Sequence, residues 1–275
     1  MPGLEGRVAF ITGAARGQGR AHAVRLAREG CDIIAVDICA DIPTMTYPNA
    51  SEADLAETVA LVEKEDRRIV ARKADVRDYA GLKAAFDEGL AEFGRVDIVI
   101  ANAGIIRLGD EEDLLAEWQD VIDTNLTGVY HTIRAALPAM REAGRGGSIV
   151  ITSSTAGIKS SPADQASGLA YMASKRGLVG LAQSLAGHLA KEWIRVNTIH
   201  PTGVMSGMTM NEAMAKQFEQ AAASGDNMIA GMQNALPIEM LQPEDIANAV
   251  AFLVSDEAKF ITGIAWPLDA GFTVR

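Results

Sequence analysis

Residues 7–37 constrain the fold of this chain more than any other segment. They comprise an apolar strand at 7–12, a turn with glycines at 13, 17 and 19, a helical pattern at 20–29 and a second strand at 32–37. In this order, the glycines allow a tight turn, and the helix start directs backbone N–H groups at a bound phosphate. The segment predicts a dinucleotide site. The residues expected around its phosphates are Gly13, Arg16, Gly17, Gln18 and Gly19.

Asp37 ends the second strand, 18 positions after Gly19. A carboxylate there accepts hydrogen bonds from the adenine-ribose hydroxyls and repels a 2′-phosphate. Arg16 favours the opposite choice, because a guanidinium in the glycine turn could bind that phosphate. Since Asp37 occupies the place where the 2′-phosphate of NADP would lie, we expect NAD to be the cofactor in preference to NADP.

The rest of the chain alternates between strand and helix patterns. Further strands are expected at 69–74, 96–101, 148–152, 194–199 and 264–268, and helices at about 54–65, 80–93, 112–143, 166–191 and 243–256. This alternation predicts an α/β fold: a Rossmann-like, doubly wound parallel sheet of about seven strands flanked by helices. Without repeats or linkers, residues 1–275 read as a single domain.

Two segments interrupt the alternation. The insertion at 39–53 contains Pro43 and Pro48, and is either a surface loop or a lid over the adenine half of a cofactor. Residues 205–240 hold seven of the eleven methionines. Because thioether side chains adapt to irregular apolar shapes, this segment is either a helical substrate lid or ordinary helix packing. The lid interpretation singles out Met205, Met208, Met210 and Met214.

Ligands of doubly wound sheets bind beyond the carboxyl ends of the strands. Asp75 and Val76 follow the third predicted strand, where we expect adenine contacts. The fourth predicted strand ends in Asn102, Ala103 and Gly104, small residues that allow close approach to a ribose. The convergence of these strand ends on one crevice is more specific evidence for a ligand site than any single motif.

Tyr171 and Lys175 lie four residues apart, so they share one face of a helix. A nearby ammonium lowers a Tyr pKa from its reference near ~10, which would make a general acid/base. The alternative is a solvated pair without special chemistry. Ser154 follows the fifth predicted strand. Asn125, inside a predicted helix, is either a surface residue or part of a local break that organises water.

Composition excludes several classes of function. A net charge of -11 argues against nucleic-acid binding. No apolar run reaches the ~18 residues of a membrane helix, and no signal peptide is visible, so we expect a cytoplasmic protein without a membrane partner. Two cysteines and four scattered histidines indicate neither a disulfide framework nor a metal site. Hydrolase and kinase phosphate-loop motifs are missing.

The motifs together resemble the short-chain dehydrogenase/reductase family over essentially the whole chain. They are TGAARGQG at 12–19, ANAG at 101–104, DTNLTG around Asn125, Ser154 three before Gly157, YMASK at 171–175 and HPTGV at 200–204. The resemblance implies an NAD-dependent oxidoreductase acting on CH–OH groups, with Ser154, Tyr171, Lys175 and Asn125 as catalytic residues. It also implies cofactor contacts from Tyr171, Lys175, Pro201, Gly203 and Val204.

The family's mechanism assigns a role to each catalytic residue. Tyr171 would exchange the substrate proton, and Ser154 would hydrogen-bond the substrate oxygen. Lys175 would lower the Tyr171 pKa and hold the nicotinamide ribose. Asn125 would position a water that links Lys175 to solvent.

The chain departs from the family pattern at three places. Gln18 replaces the usual aliphatic residue, Thr202 lies inside the Pro-Gly motif, and the 17 positions from Ser154 to Tyr171 form an expanded loop. The insertion, the expanded loop and the pattern PEDIANAVAFLVSDEAKFITG at 243–263 resemble the carveol-dehydrogenase-like, mycofactocin-coupled subgroup. That subgroup implies a tightly held NAD and a redox-peptide acceptor, and the family implies a homotetramer. The methionine-rich segment suggests a mid-sized apolar secondary alcohol such as a terpenoid. The alternatives are a carbonyl reductase of acyl thioesters or steroids, and a non-catalytic nucleotide sensor.

Overall fold

Seven parallel strands form one sheet in a computed structural model of the chain, which describes residues 3–107, 109, 111–160, 163–216, 219 and 233–275. The strands are β1 (Val8–Thr12), β2 (Asp32–Asp37), β3 (Ile69–Lys73), β4 (Ile98–Ala101), β5 (Gly147–Thr152), β6 (Ile194–Pro201) and β7 (Ala265–Leu268). Their order is β3-β2-β1-β4-β5-β6-β7. The predicted doubly wound parallel sheet is confirmed. Its strand order reverses between β1 and β4, which opens a crevice at their carboxyl ends.

The helices connect consecutive strands and cover both faces of the sheet. They are α1 (Gly17–Arg28), α2 (Glu52–Glu63), α3 (Tyr79–Phe93), α4 (Leu114–Ile122), α5 (Gly128–Ala143), α6 (Ala166–Leu189) and α7 (Pro243–Val254). Every helix among the described residues is too short or too polar to span a bilayer. Residues 212–216 are also helical, whereas part of the predicted lid, at 217, 218 and 220–232, lies outside the described residues.

Apolar burial on the two sheet faces explains the positions of the helices. On one face, Ile11 packs in a cluster with Ile246 and Val250 of α7. On the other, Phe10 contacts Phe86 of α3, with ring centroids 5.0 Å apart. Because alternate β1 residues enter opposite clusters, the strand is buried on both sides, as in other parallel sheets.

The single helix predicted at 112–143 is wrong in one respect. A π-helical turn, Asp123–Thr127, separates α4 from α5. Such a turn accommodates one extra residue and is frequent at functional sites. Here it carries Asn125, whose side chain hydrogen-bonds the backbone of Ile105 instead of facing solvent. Sequence periodicity alone does not reveal a one-residue change in helical winding.

The insertion between β2 and α2 is anchored to the body of the protein. Thr44 donates to Asp120 of α4 over 2.7 Å. Tyr47 is buried, and its hydroxyl accepts a hydrogen bond from the Ile106 N–H. The Ser51–Asp54 capping box starts α2, as its sequence pattern predicts. The insertion therefore packs against the segment that follows β4.

A buried ion pair fastens this packing. Arg107 and Glu117 are 3.0 Å apart, and their side chains are 3% and 1% exposed. Arg107 also donates to the Thr44 carbonyl, and its own carbonyl accepts from Ser167 of α6. Glu117 accepts from the Asp113 N–H at the start of α4. The pair connects the insertion, α4 and α6.

Replacing Arg107 by Met should lower the free energy of unfolding by roughly 3–5 kcal/mol, because the Glu117 charge stays buried without its partner. Urea unfolding at one fixed protein concentration measures this. The control is Arg141→Met, since the Arg141–Glu192 pair is 37% and 36% exposed. Its loss should cost far less, because ion pairs exposed to solvent contribute little to stability. Equal costs for the two variants would contradict the structural role of the buried pair.

Candidate active site

The glycine turn joins β1 to α1, and the backbone at its start lies very close to the backbone at its end. Gly13 has φ +67°, and a Cβ on Gly19 would lie 1.9 Å from the Gly13 carbonyl oxygen. Only glycine at position 19 permits this approach. The first N–H groups of α1 lack intrahelical partners, so the turn offers donors to a phosphate.

Asp37 and Arg16 line the same cleft beside the turn. The Asp37 carboxylate accepts hydrogen bonds from the N–H groups of Ala15 at 3.0 Å and Cys39 at 3.2 Å, which hold it at the end of β2. Arg16 donates to the Pro48 carbonyl over 2.7 Å. The Arg16 side chain is thus engaged by the insertion, whereas Asp37 lies where an adenine ribose is expected.

Arg16 also touches the segment after β6. A Cβ on Gly207 would lie 2.6 Å from the Arg16 Cζ atom, so the guanidinium packs directly on this glycine. Pro48 and Gly207 therefore belong to different parts of the chain, and both contact the side chain of Arg16. The insertion and the segment after β6 both cover the glycine turn.

The remaining strand-end residues line the cleft with different roles. Asp75 and Val76 lie at its edge, and Asp75 pairs with Arg77 over 2.7 Å. The Asn102 amide donates to the carbonyls of Thr12 and Gly13, both at 3.2 Å. Asn102 therefore ties the glycine turn to β4. Ala103 and Gly104 contribute to the cleft wall.

The cleft contains buried polar atoms that suit a dinucleotide. Within the described part of the chain, the Gln18 Oε1 and Thr124 Oγ1 atoms are buried without a hydrogen-bond partner. Both residues line the cleft. Because buried polar atoms are normally paired, these two indicate a polar ligand. With the glycine turn and Asp37, they form a site that fits NAD. No cluster of metal-binding side chains occurs among the described residues.

Ser154, Tyr171 and Lys175 converge beyond the end of β5. The Lys175 ammonium donates to the Thr152 carbonyl over 2.9 Å and lies 5.5 Å from the centroid of the Tyr171 ring. The Ser154 and Tyr171 hydroxyls are hydrogen-bonded to each other. The four predicted catalytic residues come together here, because Lys175 and Asn125 also flank Gly104.

The ionisation of Tyr171 differs from the sequence-based expectation. Burial raises the pKa of Tyr171, and the hydrogen bond with Ser154 only partly opposes this effect. Burial lowers the pKa of Lys175 to about 8. The expected lowering of the Tyr171 pKa by Lys175 is therefore wrong for the protein by itself. The ammonium donates to the Thr152 carbonyl, and loss of hydration is the largest influence on the Tyr171 pKa.

Of the two alternatives for Asn125, the structure shows the local break in the helix and not the surface residue. It is fully buried; its Oδ1 accepts from the Ile105 N–H, and its Nδ2 donates to the Ile105 carbonyl, both at 2.8 Å. Both ends of the amide are thus occupied by one backbone residue. The water that would link Asn125 to Lys175 stays a prediction.

Three residues that the motif analysis did not assign hold the catalytic groups in place. His200 is fully buried, and its Nδ1 lies 2.7 Å from the Ser154 carbonyl. Since a carbonyl only accepts, Nδ1 carries the proton. Ser153 donates to the Lys175 carbonyl over 2.9 Å. A Cβ on Gly157 would collide with both Ser153 and the Lys175 carbonyl. The HPTGV match to the family motif was the available signal for His200.

A second cavity of about 960 Å³ adjoins the dinucleotide cleft. Ser154 and Tyr171 lie in its wall, as do Met208 and Met214 of the predicted lid. Met205 and Met210 do not line it, and they are 39% and 58% exposed. Pro201, Gly203 and Val204, predicted to contact the cofactor, line this second cavity. Its apolar wall is completed by Leu236, Pro237, Ile238, Met240 and Phe272.

Comparison with known proteins gives a consistent result. A family model described as enoyl-(acyl carrier protein) reductase matches residues 13–273. An uncharacterized oxidoreductase of Mycobacterium tuberculosis is 53% identical over 98% of this chain and 97% of its own length. The (-)-trans-carveol dehydrogenase of Rhodococcus erythropolis is 43% identical over 100% of both chains. The crystal structure of carveol dehydrogenase from Mycobacterium avium in complex with NAD superposes with a TM-score of 0.92, at 46% identity over 100% of both chains.

Lys175→Met should raise the free energy of unfolding at pH 7 by roughly 2 kcal/mol, because the burial cost removed exceeds the lost hydrogen bond. The folded pKa lies near 8 and the unfolded value near 10.5. Between them the unfolded chain binds more protons, so wild-type stability rises with pH and the advantage of the variant shrinks. Urea unfolding from pH 7 to 10.5 measures this.

The control for this experiment is Lys191→Met, which removes an exposed lysine. We expect little change in stability at any pH in the series. If Lys175→Met were less stable than wild type at pH 7, the hydrogen bond to Thr152 would outweigh the burial of the ammonium.

Proposed function

Because this chain belongs to the short-chain dehydrogenase/reductase family, we propose that it is an NAD-dependent oxidoreductase that interconverts a mid-sized apolar secondary alcohol and its ketone. One observation carries the proposal. Tyr171 lies in the wall shared by the dinucleotide cleft and the apolar second cavity. A substrate oxygen beside its hydroxyl would also reach Ser154. Hydride transfer needs its two reactants at such a boundary.

The side chains divide the proton chemistry among them. When bound, oxidised NAD supplies the hydride acceptor and a positive charge. The Tyr171 oxygen accepts the proton of the alcohol, and donates it back in the reverse reaction. The Ser154 hydroxyl donates a hydrogen bond to the substrate oxygen as negative charge develops there. Since burial raises the pKa of Tyr171, phenolate formation depends on positive charge close to the ring, to which Lys175 contributes.

The lining of the second cavity supports the proposal of an apolar substrate of terpenoid type. Its wall combines Met208, Met214, Leu236, Ile238 and Phe272, with few charged groups. Full-length similarity to a carveol dehydrogenase agrees with that wall. The second candidate is a carbonyl reductase of acyl thioesters, favoured by the description of the matched family model.

NAD is held tightly in this proposal. Arg16 hydrogen-bonds the insertion through Pro48 and packs on Gly207 from the opposite side. A dinucleotide lying beneath these segments leaves only when their contacts separate. A second electron carrier, such as a redox peptide, would then collect the electrons from the bound cofactor.

The subunits assemble as a homotetramer in the cytoplasm. Support for assembly comes from apolar side chains on α4, α5 and α6 that the single chain leaves exposed, and from β7 at the edge of the sheet. Such side chains are usual at subunit interfaces. They are Leu114, Leu115, Trp118, Tyr130 and Leu169.

Tyr171→Phe should reduce kcat by about 100-fold or more, because the ring remains while the titrating oxygen is lost. The assay follows oxidation of carveol with an artificial electron acceptor, at matched NAD content. Tyr79→Phe, at an exposed tyrosine on α3, is the control and should stay within about twofold of wild type. Unchanged turnover in Tyr171→Phe would remove Tyr171 from the mechanism.

Arg16→Ala should release NAD roughly 10-fold faster or more, since it breaks a charged hydrogen bond to the insertion and the contact with Gly207. Mass spectrometry of protein denatured after successive desalting steps gives the NAD retained per chain. Arg25→Ala is the matched control, because Arg25 pairs with Glu29 at the end of α1, away from the insertion. Equal retention by wild type and Arg16→Ala would show that the contacts of Arg16 with the insertion and with Gly207 do not hold the cofactor.

A further inference from the structure

Gln18 lies at the boundary between the two cavities. The side chains that line both the dinucleotide cleft and the apolar cavity are Gln18, Ser153, Tyr171, Ser206 and Met208. Gln18 belongs to the glycine turn, so its backbone is fixed by the contact between Gly13 and Gly19. A rigid backbone places the Gln18 side chain reproducibly beside the position of the chemistry.

The Gln18 side chain has an unmet hydrogen-bonding requirement. Its Oε1 atom is buried and has no partner within the described ranges. Burying an amide oxygen without a hydrogen bond costs roughly 1–3 kcal/mol. An aliphatic side chain, which the family usually has here, would avoid that cost. A polar residue at this position therefore indicates a bound group that completes its hydrogen bonds.

Other unpaired buried atoms do not share this location. Thr124 lines the dinucleotide cleft without reaching the second cavity. The ring nitrogens of His22 and the Oε2 of Glu117 are also unpaired among the described residues, but neither residue lines either cavity. Gln18 alone in this group shares the boundary with Tyr171.

The chemistry of the side chain selects its partner. A primary amide offers one acceptor and an N–H donor, and so does the carboxamide of nicotinamide. Two such amides pair reciprocally, whichever way the Gln18 oxygen and nitrogen are assigned. The proposed reaction requires the nicotinamide ring beside Tyr171, which is the boundary that Gln18 lines.

We propose that Gln18 is a positioning residue whose side-chain amide hydrogen-bonds the nicotinamide carboxamide and sets the orientation of the ring at the boundary. This inference rests on the proposed use of NAD. The interaction distinguishes the nicotinamide half of the cofactor from the adenine half, which Asp37 and the insertion would contact. Its loss should therefore weaken binding only of ligands that carry the carboxamide.

Isothermal titration calorimetry on the full chain, freed of nucleotide with charcoal, tests the inference. The ligands are NAD, 3-acetylpyridine adenine dinucleotide, which has a methyl group in place of the amide nitrogen, and ADP-ribose, which lacks the ring. Gln18→Met keeps the side-chain length without its hydrogen bonds. We expect the Kd for NAD to rise roughly 3- to 10-fold. The Kd for ADP-ribose should stay within about twofold, with an intermediate effect on the acetylpyridine analogue.

Gln183→Met is the matched control, because Gln183 is an exposed glutamine on α6; it should not change the ratio of the NAD and ADP-ribose constants. Gln18→Leu is a second variant, and thermal melting checks that each protein is folded. If Gln18→Met weakened NAD and ADP-ribose equally, or changed only the KM for the alcohol, the inference would be wrong while the proposed function stood. A folded wild-type chain that bound no NAD would overturn both.

Discussion

The hydrogen bond from the buried Lys175 ammonium to the Thr152 carbonyl joins α6 to the end of β5, and the arrangement of the site depends on it. It is possible only because neighbouring positions are small. A Cβ on Gly104 would lie 3.4 Å from the ammonium, and a Cβ on Gly157 would lie 2.8 Å from the Lys175 carbonyl. Glycines at these two positions let a helix and two strand ends approach closely enough to surround one cation. Ser153 and His200 then fix the backbone on either side of that cation.

This arrangement places charged and polar groups where the folded protein alone does not favour them. Burial works against the charge on Lys175 and against the ionised form of Tyr171. Active sites commonly retain such unfavourable environments, because function there outweighs stability. The Lys175 ammonium, the Tyr171 hydroxyl and the unpaired Gln18 oxygen all lie in the cleft wall. Their common feature is that a bound cofactor and substrate would improve the surroundings of each.

Local patterns in the sequence were sufficient for the sheet, and β2 has the same boundaries as predicted. The alternation of apolar strands with helices follows from burial on both faces, and such burial is visible in a single chain. The sequence motifs also predicted that one site would contain Ser154, Tyr171, Lys175 and Asn125. Features set by contacts between distant segments could not be read in this way. The Arg107–Glu117 pair, the contact of His200 with Ser154 and the role of Arg16 each join residues far apart in sequence. The Tyr171 pKa was misjudged because sequence shows the neighbouring cation but not the depth of burial.

The π-helical turn between α4 and α5 has a consequence for how this protein can change over time. Because the wide turn absorbs one residue beyond regular α-helical winding, deleting one residue of Asp123–Thr127 would restore that winding and leave the direction of α5 nearly unchanged. Val129 and Ile133 of α5 would keep their places in the core. Asn125 would part from Ile105 in the same event. Loss of this single residue would thus disturb the catalytic site and spare the core, so the extra residue serves the site.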